Sequence, residues 1–532
     1  MRKTIGIFMA IMIALAAISC KSGDSKTITM NVALGGDIIR LDPAFAYDNE
    51  TSIVIDQITE GLLGHYPDQS LKCILAEKWE AVDPVTYVYT LRRDVKFSDG
   101  SPMTAEDVVF SISRHMDDDL GSYMNWMFEN VESITKTGDF EVTVKLEQPN
   151  ATWQYVLATS AGMIVKKAHC ESKGSDFGSA AGGIIGTGPF VYESWQNGSK
   201  VVLKKNKNYW DKTAKTNVDQ IVFTVIPDDT TLITALRNGQ VDFCASFSDT
   251  ITDGVRAIST VSLLDEASMQ ITYVTFNTAR KPFDEVNVRF AIAHAIDMDA
   301  LHTGIIKDTG YKGTPLPMTD TLFTILPERW EAYAKTVPPH EFNIAKAKEY
   351  LAKSSVPNGF SCQLLTTQAS TLRYNVALAV QEMLKAINIK VEVVSVTMDE
   401  FFAYMFGEEF DSNGVRDYDM MVAPWGSDYP DPAGNLDPLY ASASMGVGGS
   451  NSASYSNPQL DALLSEASMS LDQSKRVDLL LQACDIIVKE MPYYIFNYPK
   501  TFMIVSKNYD YGDMSIFSAW DWNFKDMVYI GK

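Results

Sequence analysis

The chain is short of positive charge, of histidine and of paired cysteine, and after its first twenty residues no apolar run reaches eighteen. Its 532 residues carry 45 Lys and Arg against 67 Asp and Glu, a formal charge of −22. A protein that binds nucleic acid by releasing counterions from phosphates needs the opposite sign, so nucleic acid is excluded as a partner. The six histidines (65, 115, 169, 294, 302 and 340) never fall at chelating spacing, and no Cys-x-x-Cys occurs, which leaves no metal site, zinc ribbon or thioredoxin-type motif. His294, beside the apolar face of a helix, reads as structural. His-Glu-x-x-His, Gly-x-Ser-x-Gly and Gly-x-x-x-x-Gly-Lys-Ser/Thr are all missing, so neither an enzyme nor a cofactor is expected. Gly182 to Pro189 is glycine-rich, but Pro189 removes an N–H and no Lys follows, so it reads as a turn. Asp117-Asp118-Asp119 lacks the spaced ligands of a calcium loop.

What is present describes a folded protein: 46% hydrophobic and 11% aromatic residues, with length for two to four domains of about 100–200 residues each. Met1-Arg2-Lys3 precedes fourteen uncharged residues, Ile5 to Ile18, that would span roughly 21 Å as a helix, short of the ~30 Å hydrocarbon core. Residues 1–19 therefore read as an export signal. Ala17-Ile18-Ser19-Cys20 resembles the end of a bacterial lipoprotein signal, which implies a lipidated Cys20 followed by a linker, 20–27. Cleavage would leave a charge of 43 − 67 = −24 and place the chain in the periplasm or at the cell exterior, anchored to the membrane. Cys73, Cys170, Cys244, Cys362 and Cys484 could then form one or two disulfides or remain buried thiols.

Along the body, strand and helix patterns alternate. Thr86–Leu91 alternates as a strand, and 140–146, 201–204, 221–226, 391–394 and 418–425 are further strands. Thr104 opens a helix with Asp107 in a capping-box arrangement; 288–295 and 371–388 carry apolar helical stripes. This alternation predicts α/β lobes with mostly parallel or mixed sheets. There is no internal repeat, and the Gly- and Ser-rich stretch 442–454 is a loop.

The segment Tyr89 to Arg114, with its core Lys96-Phe97-Ser98-Asp99-Gly100 and Thr104-Ala105-Glu106-Asp107-Val108, closely resembles the fingerprint of bacterial extracellular solute-binding proteins of the peptide/nickel type. The resemblance continues in order through Leu41-Asp42-Pro43, Glu60-Gly61-Leu62-Leu63, Gly186 to Phe190, Asn206 with Tyr209-Trp210, Phe276-Asn277-Thr278 and Trp425 to Pro432. It implies two hinged α/β lobes of the periplasmic-binding-protein type with a ligand cleft between them and an extra subdomain on lobe one. The implied division is 28–59, 186–275 and 493–532 for lobe one, 60–185 for the subdomain and 276–492 for lobe two. It also implies a monomer that hands peptides to the membrane permease of an ATP-driven importer; a nickel chelate, haem or another small solute is the alternative cargo.

Two anchors have local support as well. Asp428 follows a strand at its carboxyl end, where open α/β sheets place their ligand crevice. The family pairs an Asp at this loop position with a peptide ammonium. Arg373 stands in the first turn of a helix, where a cation opposes the helix dipole and a ligand carboxylate would offset that. Trp425, Gly426 and Tyr429 flank Asp428 as pocket walls. The resemblance further points to Tyr47, Asp48 and Asn49 as a segment pairing with the ligand backbone.

Overall fold

A computed structural model describes residues 27–412, 414–514 and 522–531. The expected signal and Cys20 lie outside the described residues.

Two mixed sheets share one strand. In the first, Thr29–Leu34 is central, parallel to Gln220–Val225 on one side and to Phe243–Cys244 on the other. Lys200–Lys205 and Phe190–Gln196 extend that sheet antiparallel. In the second, Gln270–Phe276 pairs with Met420–Gly426, which runs parallel to Ser361–Thr367 and through it to Lys390–Val396. The fourteen-residue strand Tyr493–Ser506 belongs to both. Its first residues pair with Gln270–Phe276 and its last seven with Val261–Ala267. The chain thus changes lobe on two neighbouring strands, at residues 268–269 and again near 498–500.

Period-two side-chain direction sorts the second sheet's core. Val274, Phe276, Met420 and Val422 pack under the helices Val286–Ala295 and Thr371–Leu384. Ile271, Tyr273, Met421 and Ala423 face the other way, toward Ala433–Tyr440 and Gln473–Glu490. The first lobe has its own core around Val32, Leu34, Ile55, Leu203 and Phe223.

A third core defines the subdomain. Ala76–Asp83, Thr86–Leu91, Glu141–Leu146 and Val131–Gly138 form a four-stranded antiparallel sheet in that order. The helix Ala105–Ser113 lays Ala105, Val108 and Ile112 into the same core as Tyr87, Tyr89, Val142 and Val144. Thr104 and Asp107 cap that helix reciprocally, as their spacing predicts. Buried polar contacts fasten the subdomain to lobe one. The Glu60 carboxylate accepts from Tyr209 Oη at 2.7 Å, Trp210 Nε1 at 2.7 Å and Thr187 Oγ1 at 2.9 Å. Burial holds that carboxyl above the usual range, while the three donors pull it back. The glycine run serves the same junction: a Cβ at Gly188 would come within 2.6 Å of the Gln57 carbonyl oxygen. All five cysteines in the described residues are free thiols, four buried and Cys73 exposed. His294 Nδ1 donates to the Glu341 carbonyl at 2.7 Å and its ring stacks on Tyr350, a structural setting.

Candidate functional site

The site begins with two loops that their surroundings make rigid. On lobe one, Asp42 caps the turn Pro43–Phe45 through the Ala44 N–H at 3.1 Å and pairs bidentately with Arg114 at 2.9 and 2.7 Å. The Ala44 carbonyl accepts from the Tyr123 N–H and the Ala46 carbonyl from Ser160 Oγ. Three successive fixings by the subdomain thus set the direction of the next residue, Tyr47. Asp48 then caps the helix Asn49–Ile55 through the Thr51 N–H at 2.8 Å, and Asn49 sits exposed as its first residue.

On lobe two, Met420–Gly426 ends in the loop 427–432. Ser427 Oγ donates to the Tyr429 carbonyl at 2.6 Å, and Thr324 Oγ1 donates to the Pro430 carbonyl at 2.9 Å. Asp431 holds the Ala433 N–H at 2.9 Å and forms a fully buried bidentate pair with Arg476, both bonds 2.7 Å. The turn-holding role in this proline-rich loop therefore falls to Asp431, leaving Asp428 to face the other lobe.

There the two loops meet: Tyr47 Oη donates to Asp428 Oδ1 at 2.8 Å. Tyr47 keeps 42% of its surface exposed, while burial and the neighbouring Asp428 charge raise the pKa of its hydroxyl and keep it protonated. Burial raises the Asp428 carboxyl to about 6, and the Tyr47 hydroxyl offsets part of the rise. One residue on, Tyr429 stacks on Tyr155 of the subdomain, ring centroids 5.8 Å apart and planes 9° apart. Tyr155 Oη and Thr324 Oγ1 approach to 3.5 Å, and the Ala151 N–H donates to the Ser468 carbonyl at 2.8 Å. The lobes are closed upon each other.

Of the other expected residues, Trp425 packs against the lobe-two core and donates Nε1 to the Gly434 carbonyl at 2.9 Å, so it braces the loop while lining it. Gly426 is exposed at the end of its strand, opposite Gln270. Arg373 is the third residue of the helix Thr371–Leu384, which Ser370 caps. Its guanidinium lies 4.8 Å over the Phe401 ring, and Nη1 is buried with no hydrogen-bond partner among the described residues. Burial lowers its pKa, and the Tyr273 hydroxyl opposes that. Tyr273 Oη in turn reaches the Pro424 carbonyl at 3.4 Å, on the strand that leads to Asp428. The structure therefore brings Tyr47, Asp428 and Tyr429 together directly and sets Arg373 behind Tyr273. Asn49 stays at the exposed start of its helix, two residues beyond Tyr47. Tyr155 and Arg476 were missed by sequence reasoning, because their partners lie hundreds or tens of residues away and no local pattern marks them. Among the described residues no group of His, Cys, Asp or Glu is placed to hold a metal ion.

Two lobes joined by a pair of crossing strands and closed over a carboxylate on one wall define a solute-binding protein. The chain belongs to the bacterial extracellular solute-binding proteins, family 5, whose middle region matches residues 71–446. It is 28% identical over 478 residues to the glutathione-binding protein GsiB of Salmonella choleraesuis, covering 90% of each chain. Among solved structures it resembles the ABC transporter-associated periplasmic binding protein DppA of Helicobacter pylori in complex with the peptide STSA. That likeness has a TM-score of 0.77 at 25% identity and covers 95% of this chain and 98% of the other. A putative peptide-binding protein AppA of Clostridium difficile shares the fold with a TM-score of 0.80 at 21% identity, covering 94% and 100%. The expectation of a two-lobed α/β binding protein of this family is met.

Proposed function

We propose that the protein captures short extended peptides with a free amino terminus and delivers them to the permease of an ATP-driven importer, as a monomer held outside the cytoplasm by a lipid on Cys20. The ligand ammonium pairs with Asp428, displacing the Tyr47 hydroxyl, and a ligand carboxylate takes the unsatisfied Arg373 guanidinium. Trp425, Gly426, Tyr429 and the segment from Tyr47 to Asn49 wall the backbone between them. The observation that carries this reading is Asp428 itself, a carboxylate raised to about 6 by burial and placed where the loop of lobe two meets Tyr47 of lobe one. Glutathione is a natural first ligand to test beside dipeptides, since the name of the GsiB relative specifies it and it bears both a free ammonium and carboxylates. The protein turns over none of these ligands.

Removing the charge partner of a desolvated ammonium costs about 2–5 kcal/mol. At 1.4 kcal/mol per decade, Asp428→Ala should weaken binding roughly 30- to several-thousand-fold in calorimetry. An N-acetylated peptide should bind the wild type poorly and respond little to the substitution. Equal losses for free and acetylated peptides would make Asp428 a loop residue and move the anchor elsewhere.

A further inference from the structure

The charge of this chain is unevenly spread. Residues 200–217 carry six lysines, at 200, 204, 205, 207, 212 and 215, against the single acid Asp211, a local charge of +5 in a protein of −22. All six are exposed, three on the strand Lys200–Lys205, second from the edge of lobe one's sheet, and three in the segment that follows it. Lys204 stands at the end of that strand nearer Thr29 and Lys200 at the other. Some are already engaged: Lys204 pairs with Glu193, Lys205 donates to the Thr216 carbonyl and Lys212 to that of Tyr209. Among the described residues Lys200, Lys207 and Lys215 make no ion pair, although the Lys215 backbone N–H donates to Asp526 Oδ1 at 3.2 Å, so three ammonium groups face solvent.

This patch is also where the chain begins its fold. Lys204, Lys205, Lys207 and Lys212 line a groove of about 710 Å³ whose wall includes Thr27, the first described residue. Cys20 is seven residues upstream of Thr27, and seven residues fully extended reach about 25 Å. Cys20 is thus leashed to a lysine-rich surface, whose groove also includes Asp211 and Asp219, on a molecule of formal charge −22. Without this patch the charge elsewhere would repel an anionic bilayer. With it, the lysines nearest the leash meet the surface first, within the ~8–10 Å range over which such charges act in physiological salt.

We infer that the lysine-rich patch of lobe one rests on the anionic phospholipid headgroups of the membrane in which Cys20 is anchored, so that the lipid sets an orientation and not only a tether. This rests on the lipid-anchor reading, and its test separates the two. The full-length protein, processed through its own signal, is reconstituted on phosphatidylcholine vesicles with or without phosphatidylglycerol. It is then treated with an uncharged lysine-acylating reagent and analysed by peptide mass spectrometry, in which the N-terminal peptide mass reports the acyl chains on Cys20 independently. An anionic leaflet concentrates protons at its surface about threefold, which lowers the free-amine fraction in proportion. Lys200, Lys207 and Lys215 should therefore react about threefold or more slowly on the anionic vesicles, high salt should abolish the difference, and Lys335 and Lys353 of lobe two should not respond. The triple variant Lys200→Glu, Lys207→Glu, Lys215→Glu should stay anchored and folded, yet lose the charge-dependent protection of Lys204 and Lys212. Reactivity independent of lipid charge would overturn the inference. If the N-terminal mass shows no acyl chains, the anchor reading fails by itself. The unanchored protein must then still sediment with anionic and not neutral vesicles at low salt, and its failure to do so would overturn the inference as well.

Discussion

Asp428 ties the chemistry of a single side chain to an observable pH dependence. Its carboxyl sits near 6 in the ligand-free protein because burial penalises the charge. The raised value makes folding favour the protonated form, a contribution present below the ordinary 3.8 and lost as pH rises through about 6. A bound ammonium has the opposite preference and pulls the carboxyl down. Affinity for a free peptide should therefore be flat above about pH 7 and fall toward tenfold per unit as the pH drops through 6. Calorimetry from pH 5 to 8 measures this directly, and Asp428→Asn should flatten the profile. A wild-type affinity that holds constant from pH 7 to 5 would mean that the ligand meets no titrating carboxylate there. The loop position of Asp428 was legible in the sequence because a strand, a Trp and paired prolines mark it within eight residues. Tyr155 was not, since its partner Tyr429 is 274 positions away and only the closed chain brings the rings together.

At the scale of elements, the junction between subdomain and lobe one depends on the donors that converge on Glu60. Trp210 can only donate, whereas the Tyr209 and Thr187 hydroxyls can donate or accept. Glu60→Gln can keep all three contacts by turning its amide nitrogen to Tyr209 and its oxygen to Trp210 and Thr187. Glu60→Ala leaves the Trp210 N–H without its acceptor and should cost about 1–3 kcal/mol in denaturant unfolding, with the Gln variant much closer to wild type. If Gln and Ala lose the same stability, the carboxylate's charge rather than its acceptors holds the junction. The elements that were legible are those with one wet face: Thr86–Leu91 and Glu141–Leu146 alternate, and Ala105–Ser113 carries both a stripe and a cap. Gln270–Phe276 and the first half of Tyr493–Ser506 escaped notice because both faces are buried, so no alternation survives. The helix expected to run to 388 gives way after Leu384 to a 3₁₀ turn, Lys385–Ile387, with Asn388 left-handed at φ 59° as the chain turns into the next strand.

As a whole molecule, the protein is closed by direct contacts between its lobes, among them the Tyr47–Asp428 bond and the Tyr155–Tyr429 stack. Ligand binding should shift it from more open forms toward this one, seen in small-angle scattering as a smaller radius of gyration and in Trp425 fluorescence as a change of environment. An unchanged scattering profile at saturating ligand would rule out hinge closure. Global topology was legible only through the family resemblance; nothing in the local pattern of residues 493–506 says that they serve two sheets.

That shared strand bears on how the protein is made. Phe243–Cys244, Val261–Ala267 and Gln270–Phe276 all find their antiparallel partner in residues 493–506. A chain emerging from the ribosome amino end first cannot finish either sheet until nearly its last codons have been translated. Until then both lobes present open edges, and loop closures of more than two hundred residues remain to be made. For a chain exported unfolded, as the proposed signal at its start requires, this late completion would be protective: the polypeptide would stay translocation-competent in the cytosol and acquire its native state only on the far side.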